Sequence, residues 1–102
     1  MFKETDHLFF SEPLVLVLLY TSFCGTCEMA KRMLAVLSQT VKDVAFYQMN
    51  ANLHPAVLKQ YDVRSIPCFL IFKNGRWIDQ FYAFYSVSFL YDKLQAYSHS
   101  ET

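Results

Sequence analysis

The chain has 102 residues, and its nine basic and nine acidic side chains give a formal net charge of zero. This length is that of one ordinary domain. We expect residues 1–102 to form a single domain, whose core the 54% hydrophobic content can fill. A balanced charge without a basic stripe gives no reason to expect binding to nucleic acid or to an anionic membrane surface. The expected partners are therefore proteins or small molecules.

The chain contains three cysteines, Cys24, Cys27 and Cys68. Small secreted proteins use an even disulfide framework, so an odd number with one close pair favours a reducing compartment. The apolar run at 14–20 is far shorter than the roughly 20 residues of a membrane span. The first residues also lack the basic start and continuous apolar stretch of a signal peptide. We therefore expect an unprocessed cytoplasmic protein that does not enter a membrane.

Hydrophobic periodicity predicts a chain in which strands and helices alternate. Apolar runs without polar alternation indicate strands covered on both faces of a sheet, and apolar positions at helical spacing indicate amphipathic helices. The first segment is predicted as a short helix ended by Pro13. In chain order the predicted elements are a helix at 5–10, a strand at 14–20, a helix from Gly25 to about Gln39, a strand at 44–50, a short helix capped by Asn52 with Pro55 in its first turn and ending near Tyr61, strands at 68–72 and 77–82, and a helix capped by Ser86 or Ser88.

Asn74 and Gly75 connect the last two predicted strands. An Asn-Gly pair favours a two-residue hairpin turn, which makes these strands antiparallel neighbours. The end of the chain, residues 98–102, is expected to fray.

Cys24 and Cys27 enclose Gly25 and Thr26 at the junction of the predicted buried strand and the amphipathic helix. Unpaired backbone N–H groups and the positive end of the helix dipole favour a thiolate at a helix N-terminus, and the thiolate is the form that attacks disulfides. Cys27 lies one turn further along the same helix face, where it can form a disulfide with Cys24. We interpret Cys24 as the catalytic nucleophile and Cys27 as the catalytic resolving thiol.

A metal site, or two unrelated core thiols, is the alternative interpretation of this pair. Zinc ordinarily takes four ligands, and no second Cys or His pair has ligand spacing. The histidines His7, His54 and His99 are scattered and distant from the cysteines in sequence, so we assign no metal ligand and no cofactor. An iron-sulfur cluster held between two subunits through Cys24 remains a third alternative.

Three features together resemble the thioredoxin family, namely the CxxC after a strand, the segment Ser65-Ile66-Pro67-Cys68 and the hairpin Phe72-Lys73-Asn74-Gly75. The resemblance covers about residues 14–94 and implies an α/β thioredoxin fold, with a central mixed sheet of about four strands flanked by helices. The family's N-terminal strand is hard to fit before Leu14, and we expect it to be absent. The resemblance also implies a protein-disulfide oxidoreductase that acts on disulfide-containing proteins and is recycled by a reductase. We expect a monomer.

The resemblance also implies which residues contact the substrate. The Ile66–Pro67 peptide bond is expected to be cis, with Ile66 offering backbone hydrogen bonds to an extended substrate; without the resemblance it would be expected trans, since only about one X-Pro bond in twenty is cis. Phe84 aligns with a residue that lines the substrate groove, although core packing is an equal alternative for an aromatic side chain. The remaining expected substrate-binding residues are Phe23, Gly25, Thr26 and Pro67.

Leu18 and Gln48 stand where thioredoxins resemble one another in a buried aspartate and the lysine that pairs with it. The carboxylate that helps the resolving cysteine to lose its proton is then missing, so Cys27 is expected to attack slowly. Thr26 and Phe23 replace the usual proline and tryptophan. We expect a reduction potential less negative than that of thioredoxin, between roughly −250 and −190 mV.

Cys68 follows Pro67 on a predicted strand, and strand alternation turns its side chain away from the cysteine pair. Free cysteine is among the most buried residue types, so we expect an inert thiol.

An alternative function is a thioredoxin-fold binding or redox-sensing module with little turnover, in which the aromatic surface docks a partner. Fold alone does not distinguish this module from an enzyme. Leu18 and Gln48 replace the family's aspartate and its paired lysine, and this loss favours the module. The presence of Cys24, Cys27 and Pro67 favours the enzyme. A glutaredoxin-like preference is not expected, because the usual proline-tyrosine dipeptide between the cysteines is absent and no charged cleft for a tripeptide is evident.

Overall fold

A computed structural model describes residues 3–82 and 86–99 of the chain. These residues form five strands and three α-helices, with one 3₁₀ turn at Ala51–Leu53. In chain order the elements are β1 (Lys3–Glu4), β2 (Leu14–Tyr20), α1 (Gly25–Thr40), β3 (Ala45–Asn50), α2 (Pro55–Gln60), β4 (Cys68–Lys73), β5 (Arg76–Tyr82) and α3 (Val87–Ser98).

The five strands form one mixed sheet in the order β1-β3-β2-β4-β5. The central strand β2 is parallel to β3 and antiparallel to β4. Six of its seven residues are buried. Because neither face of β2 meets water, its sequence has no polar alternation. The predicted mixed sheet and its central strand are confirmed.

Hydrophobic clusters cover both faces of the sheet. On one face Leu18 packs with Leu34 of α1 and Leu90 of α3. On the other face Leu19 packs with Leu58 of α2 and with Cys68. Since alternate residues of β2 enter different clusters, this strand connects the two halves of the core.

The expectation of four strands without the N-terminal one is wrong. Lys3 and Glu4 form a short edge strand that runs parallel to β3. Glu4 accepts hydrogen bonds from Tyr20 Oη and Gln48 Nε2, each at 2.8 Å, and the Thr5 N–H donates to the Gln48 carbonyl at 2.8 Å. Polar contacts rather than an apolar pattern hold this strand, which is why hydrophobic periodicity does not predict it.

The helix predicted at residues 5–10 is also wrong. Thr5 Oγ1 donates to the His7 carbonyl at 3.0 Å and accepts the His7 N–H at 3.3 Å, a local turn that competes with helix formation. Leu8 and Phe10 pack against the α2 side of the sheet, whereas Phe9 between them is 87% exposed. Residues 8–10 therefore lie across the sheet surface in an irregular conformation.

The predicted hairpin turn is confirmed at Asn74 and Gly75. Their φ angles of 52° and 82° are both positive, as a type I′ turn requires. Ser86 caps α3 by accepting the Phe89 N–H on its Oγ at 3.1 Å, as predicted.

Asn52 does not cap α2 as predicted. It lies in the 3₁₀ turn and donates its N–H to Asn50 Oδ1 at 3.0 Å. The capping residue is therefore Asn50, and the element that it caps is the 3₁₀ turn. His54 precedes α2 and makes no capping hydrogen bond with its side chain. Within residues 3–82 and 86–99, no helix is long and apolar enough to cross a membrane.

Candidate active site

Cys24 is the N-cap residue of α1 and ends the loop that follows β2. Its Sγ accepts the Cys27 N–H at 3.2 Å and lies 3.5 Å from Thr26 Oγ1. A helix N-terminus stabilises negative charge, and these two polar groups are placed to do the same. In the reduced protein this position therefore favours a Cys24 thiolate.

Cys24 and Cys27 are joined by a disulfide, with their Cα atoms 5.2 Å apart. Cys27 is only 1% exposed, whereas Cys24 is half-buried. An incoming sulfur can therefore reach Cys24 from solvent, and Cys27 is shielded by α1 and its surroundings. The structure shows the oxidised form of the pair.

The residues on either side of Cys24 are open to solvent. Phe23 has a φ of 58°, an uncommon left-handed conformation for a bulky residue, and its ring is fully exposed. Gly25 and Thr26 are exposed as well, and no atom lies within 4 Å of the place where a Gly25 Cβ would stand. Phe23, Gly25 and Thr26 therefore form an accessible rim around the Cys24 sulfur.

Pro67 lies at the same end of the sheet as the cysteine loop, because the next residue, Cys68, pairs with Leu19 near the end of β2. The Ile66–Pro67 peptide bond is cis. Pro67 is buried, and half-buried Ile66 packs against the α2 side of the core.

Tyr82 holds the loop that leads to Ile66 and Pro67. Its hydroxyl oxygen accepts the Arg64 N–H and a Gln80 Nε2–H, each at 3.2 Å. Phe84, the last predicted substrate-binding residue, lies outside the described residues.

Leu18 and Gln48 face one another as register partners in β2 and β3. Leu18 is fully buried. Gln48 donates Nε2–H to Glu4, and its buried Oε1 has no hydrogen-bond partner among the described residues. Among the described residues, the buried positions include no acidic side chain. Apolar packing thus replaces the carboxylate expected at this position of the family.

Cys68 is completely buried and unpaired, on the sheet face opposite to α1. Burial raises the pKa of its thiol to about 12, because the charged form would lose its hydration. The prediction of a buried third cysteine is confirmed, and its thiolate is scarce near neutral pH.

The burial of Cys68 predicts that alkylation reaches it only after unfolding. In a Cys24→Ser, Cys27→Ser double variant, iodoacetamide at about pH 8 should leave the native protein unlabelled and label it fully in denaturant, since the thiolate is the reacting species. Mass spectrometry measures the extent of labelling. Native labelling at the rate of a free cysteine in solution would contradict this placement.

The histidines make local contacts. His7 Nδ1 accepts the Phe9 N–H at 3.2 Å, and His54 and His99 lie at helix ends. In the part of the chain that the structure describes, no three His, Cys, Asp or Glu side chains are grouped so that they could hold a metal ion.

Sequence patterns did not predict a pocket beside Cys24. It is lined by residues 20–25 together with Glu28 and Lys31. Lys31 Nζ lies 3.6 Å from a Glu28 carboxylate oxygen and 4.2 Å from the centre of the Tyr20 ring. Burial and the hydrogen bond to Glu4 raise the pKa of Tyr20 to about 12, which keeps this phenol neutral. The spacing of Glu28 and Lys31 is an ordinary helix pair and carries no signal of a pocket.

Comparison with known proteins identifies the family. The sequence matches the profile of the thioredoxin family over residues 3–96. It is 46% identical over 97 residues to the thioredoxin-like protein YusE of Bacillus subtilis, a match that covers 95% of this chain and 90% of that protein. It is 35% identical over 77 residues to a thioredoxin of Chlamydia caviae, with 76% of each chain covered. The chain belongs to the thioredoxin family.

Solved thioredoxin structures share its fold. A mutant thioredoxin from Halobacterium salinarum superposes with a TM-score of 0.79 at 22% identity, covering 89% of this chain and 80% of that one. The Malassezia sympodialis thioredoxin gives a TM-score of 0.80 at 21% identity, covering 96% and 91%. Family membership and the CxxC pair Cys24 and Cys27 together define a thiol-disulfide oxidoreductase.

Proposed function

We propose that this protein reduces or exchanges disulfides of protein substrates, with Cys24 as nucleophile and Cys27 as resolving thiol. The observation that carries the proposal is the asymmetry of the pair. Cys24 caps α1 and is accessible, whereas its disulfide partner Cys27 is buried. A substrate disulfide can therefore be attacked by only one of the two sulfurs.

The reaction proceeds in two exchanges. The Cys24 thiolate attacks one substrate sulfur, forms a mixed disulfide and releases the other substrate sulfur as a thiolate, which takes up a proton. Cys27 then loses its proton and attacks Cys24 Sγ, which closes the intramolecular disulfide and releases the second substrate thiol. The substrate gains two electrons and the cysteine pair loses two.

The substrate groove in this proposal runs from the rim beside Cys24 to the cis-proline loop. Phe23, Gly25 and Thr26 are exposed around the reactive sulfur, and Ile66 and Pro67 lie at the same end of the sheet. An extended substrate would pair with the backbone of Ile66. Phe84 would either line the far side of the groove or pack into the core.

We further propose a cytoplasmic, single-domain monomer that depends on a separate reductase. Thioredoxins act on disulfides and are recycled by reductases, and the free, buried Cys68 is consistent with a reducing compartment. The balanced charge supports the expectation that neither nucleic acid nor a membrane is a partner.

A binding or redox-sensing module is the second candidate function. Leu18 is buried in an apolar cluster and the described residues include no buried acid, which favours a slow resolving step. The exposed Phe23 ring offers a docking contact. In this role the cysteine pair would change state with the redox potential but turn over little.

A redox titration against glutathione buffers, run with an insulin-reduction assay, separates the two functions. We expect a reversible two-electron transition between roughly −250 and −190 mV, and turnover that is lost in a Cys24→Ser variant. If the pair titrates but turnover does not exceed that of the variant, the catalytic proposal is overturned in favour of the sensing module.

A further inference from the structure

The pocket beside Cys24 combines a reactive sulfur with two opposite charges. Its wall carries the Glu28 carboxylate and the Lys31 ammonium, and the pocket also includes Thr21 and Ser22, whose hydroxyl groups can donate or accept hydrogen bonds. A molecule that enters the pocket is therefore adjacent to the sulfur that reacts.

Glu28 and Lys31 keep their hydrogen-bonding capacity free. Their 3.6 Å contact is longer than a hydrogen bond, and neither group makes a hydrogen bond to a described residue. An exposed pair of this kind contributes little to stability, so a ligand can displace the contact at small cost. The pair offers one acceptor for a cation and one donor for an anion.

The ammonium of Lys31 is held in place by an aromatic ring. Nζ lies 4.2 Å from the centre of the Tyr20 ring, a cation–π contact. The Tyr20 hydroxyl donates to both Glu4 carboxylate oxygens, at 2.8 and 2.9 Å, which ties the ring to β1. The cation–π contact therefore favours a position of the ammonium next to the Tyr20 ring, which also lines the pocket.

We propose that this pocket binds the α-amino-acid end of a small thiol, so that mixed disulfides of cysteine-type thiols are preferred substrates. The ligand carboxylate meets Lys31, and the ligand ammonium meets Glu28. A ligand with only one of these charges faces the like charge of the other residue without a compensating partner. The inference rests on the proposed function and specifies its substrate class.

The pocket also decides which sulfur is attacked. With the amino-acid end bound beside Cys24, the Cys24 thiolate attacks the sulfur of the small thiol, and the larger partner leaves as a thiolate that takes up a proton. Cys27 then attacks Cys24 Sγ and releases the small thiol. One disulfide is reduced to two thiols while the Cys24 and Cys27 dithiol is oxidised to its disulfide.

Three mixed disulfides of one neutral peptide test the charge requirement. The small half is cysteine, cysteamine, which lacks the carboxylate, or 3-mercaptopropionate, which lacks the ammonium. Protein reduced beforehand is mixed with each in a single turnover, so that no recycling reductase is needed. We expect the cysteine adduct to react roughly two- to fivefold faster than either analogue, the range that one exposed ion pair supports.

Two variants, each with one charged side chain replaced by a neutral one, assign each preference to one residue. Lys31→Gln should abolish the preference for cysteine over cysteamine, and Glu28→Gln should abolish the preference over 3-mercaptopropionate. Ratios within each variant are compared, because this cancels any effect of the substitution on the Cys24 thiolate itself. Equal rates for the three substrates, or ratios unchanged by both substitutions, would overturn the inference.

Two further measurements show which half of the mixed disulfide becomes attached to Cys24 and whether the enzyme is active. In a Cys27→Ser variant, mass spectrometry should find the cysteine half, not the peptide, attached to Cys24; the peptide attached instead would contradict the orientation. If insulin is reduced while the three substrates react alike, only this inference fails. If insulin reduction also fails, the proposed function fails with it.

Discussion

Replacing Cys27 with serine is expected to stop the reaction at the mixed disulfide. Cys27 is buried directly next to Cys24 and closes the intramolecular disulfide seen in the structure. Without it, only a thiol from solution can release the substrate. The reaction then lacks an intramolecular attacking group, whose effective concentration is at least about 10⁵ M. Against a millimolar external thiol this slows the resolving step by about 10⁸-fold, so turnover of insulin should fall by at least about a thousandfold.

The trapped intermediate distinguishes this effect from misfolding. Gel electrophoresis without reductant should show the substrate covalently attached to the Cys27→Ser protein. The matched control is Cys68→Ser, which removes a cysteine that is buried on the sheet face opposite to α1 and should retain turnover. Normal turnover in Cys27→Ser, or no trapped species, would show that Cys27 does not resolve the intermediate.

Introducing aspartate at Leu18 is expected to destabilise the fold strongly. Leu18 is a fully buried residue of β2 on the sheet face that α1 covers, so the substitution removes apolar contacts and places a carboxyl group in apolar surroundings. Loss of a buried leucine alone lowers the free energy of unfolding by about 2–5 kcal/mol. We expect a loss of at least about 3 kcal/mol at neutral pH, measured by urea denaturation.

The pH dependence of this loss has a definite sign. Burial raises the pKa of the new carboxyl group above its value in the unfolded chain, so the folded state holds the proton more tightly. Stability of the Leu18→Asp variant should then fall as pH rises from about 4 towards 8, relative to the parent protein. Leu18→Asn, similar in size but without an ionisable group, should show a loss that does not vary with pH. If the loss of stability did not vary with pH in either variant, the site would have to admit water.

Gln48 offers a further check on the same site. It is the register partner of Leu18, and its buried Oε1 has no hydrogen-bond partner in the part of the chain that the structure describes. Adding Gln48→Lys to Leu18→Asp should recover part of the lost stability at neutral pH, because the carboxylate gains an opposite charge. Gln48→Lys alone should give no such gain.

Local sequence signals predicted the parts of the fold that local forces determine. The apolar run of β2, the Asn74-Gly75 turn and the Ser86 cap each depend on neighbouring residues, and each is present. The same holds for the CxxC at the start of α1. Helix ends and tight turns have specific residue requirements, so the sequence there leaves few alternatives.

Elements held by polar contacts between residues far apart in the sequence could not be predicted in this way. Glu4 in β1 is bonded to Tyr20, 16 residues away, and to Gln48, 44 residues away. The pocket beside Cys24 likewise needs α1 to bring Lys31 back over the Tyr20 ring. Such pairs have no periodic signature, so only the folded chain shows them. The helix predicted at residues 5–10 is wrong for a related reason, since Leu8 and Phe10 pack on the surface of the sheet and do not follow a helical repeat.

The position of β2 in the sheet also has a consequence for synthesis of the protein. This strand is made before both of its neighbours, and β4, which completes it, follows only after α1, β3 and α2. At about 5–20 residues per second, a ribosome needs several seconds to produce β4. During that interval an uncharged, entirely apolar strand lies open along one edge in the nascent chain, which is a segment that chaperones bind and that aggregates at high expression.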